Sequence, residues 1–189
     1  RAALEQAEGI YRRLLALRPD HATARAVLAY LQAQLGRPEE AQGTWAQLQA
    51  QIGSRADAWQ AVGDFFLSHA DCALDRDQAK ALYQEADRAY AQALALNPRH
   101  LTAALRQGYA LRNLGDLEGA VAIFRQGAQA AAEDPNAWVF YRELAITLAM
   151  LGRKGEAEAA AQQAWQRAPA AEQPGLRSLF AQMGLSIRP

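Results

Sequence analysis

Leu114-Gly115-Asp116-Leu117-Glu118-Gly119-Ala120 is the stretch that decides the fold. An apolar residue closes one helix, and Gly supplies the positive φ that a helix end calls for. Acid then opens the next helix, where the positive end of its dipole favours negative charge. The same grammar stands at Leu35-Gly36-Arg37-Pro38-Glu39-Glu40-Ala41 and at Leu151-Gly152-Arg153-Lys154-Gly155-Glu156-Ala157. Three such seams in one chain predict a repeated pair of helices.

The interval follows from the bulky residue four places after each Ala. Tyr11 to Trp45 is 34 residues, Trp45 to Tyr90 is 45, and Tyr90 to Phe124 is 34. Ala161 holds the next equivalent place, 37 further on. The period is therefore 34, with one insertion of 11 and one of three. Pro19, Gly53, Pro98, Ala132 and Pro169 close the second helices on the same track. A fixed interval of this length is the signature of stacked supersecondary units.

Trp59-x-x-Val62-Gly63-x-x-Phe66, then Ala86-x-x-x-Tyr90 and Pro98, resembles the tetratricopeptide repeat (TPR) pattern. Ala7, Tyr11 and Pro19 repeat its second half, and the likeness extends over essentially the whole chain. Arg25, Ala104 and Tyr141 stand where the first-helix Trp is usual, and Ala161 where an aromatic is. The resemblance implies an all-α fold: a right-handed superhelical solenoid of antiparallel helix pairs, about ten helices in all. It also implies a protein-binding function. Repeats of this kind accompany bacterial glycosyltransferases, sulfotransferases, polysaccharide-export and cytochrome-maturation proteins. The alternative implied is thus a repeat domain of a larger bacterial enzyme or envelope assembly protein.

The pattern has a physical reason of its own. Ala29, Gly63, Gly108 and Ala145 fall mid-way along the first helix of each pair, and Ala41, Ala86, Ala120 and Ala157 early in the second. Small residues at facing positions let two helices cross closely, with the large residue four places on filling the groove beside them.

Residues 2–19 read as a half repeat, a second helix without its first-helix partner. Repeats follow at 22–55, 56–100, 101–137 and 138–171, and a capping helix at 173–183. The insertion falls near 71–81, after which Asp75-x-x-Gln78 makes a helix start. Eleven residues are close to three turns, so a second helix over 76–96 keeps one buried face and overhangs its neighbours by about two turns of roughly 5.4 Å. The chain opens at Arg1 with neither Met nor an apolar leader, which reads as a trimmed parent or a lost leader. Cytoplasm and bacterial periplasm both stay open, and the lone half repeat suggests self-association through its bare face.

Bulk properties narrow the function. Twenty Lys and Arg balance twenty Asp and Glu, leaving no surplus to neutralise a phosphate backbone and no expectation of nucleic-acid binding. No run of 18 apolar residues is present, so the chain is not expected to insert in a membrane. Cys72 is the only cysteine, which forbids an internal disulfide and leaves the redox compartment open.

Chemistry-bearing residues are sparse. His69, Asp71, Cys72, Asp75 and Asp77 match no metal-ligand spacing and read as a solvated capping loop. His21 and His100 occupy equivalent inter-repeat turns. No Gly-x-Ser-x-Gly elbow occurs, and Cys72 has only His69 nearby with nothing to orient it. No enzyme activity, cofactor or metal is expected.

Partner binding is expected instead on the inner wall. Positions 2, 5, 9, 12 and 13 of each first helix lie about 130° from its partner-facing side. They place Tyr30 on one helix, and Asp64 and Leu67 on the next. Leu105, Tyr109, Arg112 and Asn113 follow on the third, Arg142 and Ile146 on the fourth. The expected groove is partly apolar, acidic toward one end and basic toward the other. Trp45 and Trp59 fall at packing positions, while Trp138 and Trp165 fall at helix edges and are expected half exposed. The Lys and Asn pair with which some relatives grip a terminal carboxylate is absent, so a helical or extended segment with apolar anchors is the expected partner.

Overall fold

The computed structural model describes residues 1–188. Among them lie ten α-helices and no strand: α1 (Ala2–Leu17), α2 (Ala22–Gln34), α3 (Pro38–Ile52), α4 (Ala56–Asp71), α5 (Arg76–Leu96), α6 (Leu101–Leu114), α7 (Leu117–Ala130), α8 (Ala137–Met150), α9 (Lys154–Arg167) and α10 (Gln173–Gln182). Most helices pack chiefly on the one before and the one after; between α3 and α4 the stack is carried instead by α2 on α4, and α4 also touches α6. That is the contact pattern of a solenoid.

The Leu-Gly seams end helices as their composition requires. Gly115 sits at φ 84° and Gly152 at φ 73°. This lets the next amide fold back: Asp116 N–H donates to the Leu111 carbonyl and Arg153 N–H to that of Leu148, both at 2.9 Å. Asp116 then caps α7 by accepting from Gly119 N–H at 2.9 Å. His21 and His100 also prove to be caps, their Nδ1 accepting from Ala24 and Ala103 N–H at 3.2 and 3.4 Å.

At the crossings the structure refines the small-on-small expectation. Ala41, Ala86, Ala120 and Ala157 are buried, yet what rests on the first-helix glycine is the aromatic ring. A Cβ added at Gly63 would stand 2.6 Å from a ring carbon of Tyr90, and at Gly108 it would press on Phe124 more closely still. Tyr90 and Phe124 are fully buried there. Gly127 gives the same seat to Phe140 between α7 and α8, a junction the repeat pattern does not flag.

The inserted residues are shared between two helices. α4 has 16 residues against 13 in α2 and 14 in α6 and α8, while α5 has 21. Tyr83 donates from its hydroxyl to Asp71 at 2.7 Å and so ties the overhang of α5 to the end of α4. Burial, with the Asp71 charge beside it, pushes the Tyr83 phenol up to about 12.

The two ends are finished differently. α1 rests on α2, held by Glu8, which is buried and takes Arg12 at 2.8 Å and Arg37 as ion-pair partners. Its Ile10 and Leu17 stay exposed. At the other end Phe180 is fully buried although no second helix crosses it. The chain beyond α10 supplies the cover: Leu185 is buried, its N–H donates to the Phe180 carbonyl, and Gln162 of α9 exchanges two hydrogen bonds with the backbone of Arg188.

Candidate partner-binding groove

The first helices of the pairs, α4, α6 and α8, together with α10, enclose a cleft of about 540 Å³. Leu67 and Asp71 come from α4; Arg106, Tyr109, Arg112 and Asn113 from α6; Arg142, Glu143 and Ile146 from α8; Leu179 from α10. Helical spacing accounts for the set, since residues three and four apart share a face.

The cleft's floor is an ion cluster. Glu143 is only 4 % exposed; it accepts Arg112 Nη1 at 2.8 Å and Arg142 Nη2 at 2.7 Å. A buried carboxylate without such partners would be costly, so the two guanidiniums are fixed in direction by it. Arg112 also lies over the Tyr109 ring, 5.2 Å from its centre. Tyr109 meets Phe124 edge to face at 6.0 Å. Burial, aided by the charge of Glu143, raises the Tyr109 phenol above its ordinary value. Arg106 is freer: its nearest carboxylate is Asp64 at 4.0 Å. Asp64 is engaged elsewhere, accepting from Tyr90 Oη at 2.6 Å and Gln60 Nε2 at 2.5 Å.

Of the nine groove residues read from the sequence, Leu67, Tyr109, Arg112, Asn113, Arg142 and Ile146 line this one cleft. Asp64 lies outside its lining, beside a neighbouring cavity with Tyr11 and Phe65. Leu105 is half-buried and lines no part of it. Tyr30 is 8 % exposed and Leu67 5 %, so neither offers a free apolar anchor. The reason is local: α4 leans on α2, and Phe66 meets the Tyr30 ring edge-on at 5.9 Å. Trp138, expected half exposed, is buried at 8 % with Arg142 over its ring, whereas Trp165 is half-buried.

Arg106, Asp71, Glu143 and Leu179 enter the cleft from outside the expected groove wall, Asp71 from the expected capping loop. Arg106 sits one position beyond the stripe considered, and Leu179 belongs to the cap. A buried Glu flanked by Arg142 has no sequence mark except that adjacency. Among the described residues no group of three or more His, Cys, Asp and Glu is arranged to hold a metal ion. His69 instead stacks on Phe65 at 4.0 Å, and Asp75 caps α5. No described helix is long and apolar enough to cross a membrane.

Two tetratricopeptide repeat family profiles match, one over residues 2–64 and the other over residues 73–135, more than half of the chain between them. The chain belongs to the tetratricopeptide repeat family. No curated protein gave a match. Among solved structures, a thermophilic TPR protein of Thermus thermophilus, TTC0263, is 24% identical over 95% of this chain and 90% of its own, with a TM-score of 0.57. MamA 41-end from Desulfovibrio magneticus RS-1 is 16% identical over 94% and 93%, with a TM-score of 0.51. At such identities the likeness shows the fold alone. TPR membership supports a protein–protein interaction scaffold in general terms.

Proposed function

We propose that the chain holds a helical or extended segment of a partner protein in the groove walled by α4, α6, α8 and α10. One observation carries this reading: a cleft of about 540 Å³ in which half-buried apolar groups, Tyr109, Ile146 and Leu179, stand among charged side chains that fix direction. Partner surfaces combine apolar anchors with a polar rim in this way.

The test uses random dodecamer peptides displayed on phage and panned on the chain. Peptides selected in the groove bind about tenfold more weakly to the Tyr109→Ala/Ile146→Ala variant, because losing an anchor costs on the order of 1–2 kcal/mol. Circular dichroism checks that the variant keeps its helices. Equal binding to parent and variant overturns the assignment.

A further inference from the structure

We infer that the groove's occupant is an acidic segment, which sets an internal Asp or Glu side chain against Arg106, Arg112 and Arg142 and a bulky apolar side chain beside it against Ile146 and Leu179. The inference rests on the groove reading above and names the chemistry of what the groove holds.

Charge complementarity is the argument. Three guanidiniums from α6 and α8 line one cleft with two carboxylates, Glu143 and Asp71. Glu143 lies beneath the surface and is shared by Arg112 and Arg142. Asp71 stands at the α4 rim and is bonded by the Tyr83 hydroxyl. Asp64 reaches Arg106 only at 4.0 Å while accepting two other hydrogen bonds. Each guanidinium carries five N–H donors. Among the described residues Arg106 makes no hydrogen bond, Arg112 spends one nitrogen on Glu143, and Arg142 spends two on the same carboxylate. Unspent donors therefore meet over one cleft, already oriented by a buried anion. A carboxylate, which accepts paired N–H groups in a plane, is the group that fits them.

The anion belongs to a side chain within the segment. The arginines stand on α6 and α8, in the middle of the cleft, with α4 on one side and α10 on the other. A chain bound there runs past them in both directions. Ile146 and Leu179 lie in the same lining, half-buried, and take the apolar neighbour of the acid.

Panning with the dodecamers fused to the phage coat by their C-termini removes any free terminal carboxylate. The selected peptides are expected to carry Asp or Glu next to Leu, Ile, Phe or Met. In fluorescence anisotropy, the amide form of a selected peptide, with Asp→Asn or Glu→Gln, binds about tenfold more weakly to the whole chain than the acid form. Arg106→Glu weakens the acid peptide by about as much while leaving the amide peptide near its parent affinity, and added salt weakens only the acid peptide. Arg106 is a surface residue without a hydrogen bond, so a matched thermal melt accompanies the result. Selected peptides that are neutral or basic, yet lose affinity on Tyr109→Ala/Ile146→Ala, overturn the acid preference and leave the groove standing. Peptides indifferent to that double variant overturn both.

Discussion

At Gly63 and Gly108 the missing side chain lets an aromatic ring lie directly on a helix backbone. In most helices a glycine is a weakness, and Ala in its place adds up to about 1 kcal/mol. Here the added methyl would drive into the buried ring of Tyr90 or Phe124, and overpacking costs about 1–3 kcal/mol. Gly63→Ala and Gly108→Ala are therefore expected to lower the melting temperature. Gly43→Ala and Gly155→Ala, where a Cβ meets nothing within 4 Å, are expected to raise it. A thermal melt of the four variants decides, and a gain at Gly108 would refute the packing described. The helix period marked Gly63 and Gly108 as small positions at a crossing, because both repeat at the same place in their units, but it set an alanine and not a ring against them. Gly127 escaped because its ring, Phe140, comes from the next unit, and no repeat position marks it.

Among the elements, α1 shows how a buried charge pair fastens a helix to the stack. Its apolar stripe packs chiefly on α2, and the buried Glu8 clips it to Arg37 at the start of α3. The Arg37 hydrogen bond, and after it Arg12, hold the Glu8 carboxyl below its ordinary 4.5 despite the opposing pull of burial. A carboxyl depressed in the folded state adds stability above its unfolded pKa and loses it as pH falls through the folded one. Glu8→Gln is thus expected to loosen α1 by about 1 kcal/mol at pH 6, and the gap between the two proteins should narrow as acid protonates Glu8. Amide exchange across α1 reads this, and a gap that persists in acid would assign the clip to packing. Ala7, Tyr11 and Pro19 give α1 the pattern of a second helix. Its clip has no such mark, because Glu8 and Arg37 are 29 residues apart and in different elements.

For the whole molecule, neighbour-only contacts mean that stability passes along the stack unit by unit. The last unit depends on the turn of chain after α10, where Leu185 shields Phe180 and Gln162 holds the backbone of Arg188. Removing residues 185–189 is expected to cost amide protection first in α10 and α9, with α1 to α5 unchanged in hydrogen exchange. Uniform loss along the chain would contradict a stack of this kind. The helices, their seams and their order were fixed by local rules: a 3.6-residue stripe, a glycine at a helix end, an interval of 34. Those rules are written along the chain itself, within a helix or from one helix pair to the next, so one amino-acid sequence suffices to state them. Which inner-wall residues remain open was decided only in three dimensions. Tyr30 and Leu67 satisfy the same stripe as Tyr109 and Ile146, but α4 leans on α2 and covers Tyr30, and its own Leu67 is buried. How far neighbouring units tilt is a sum of many distant contacts, and that tilt separates a buried anchor from an exposed one.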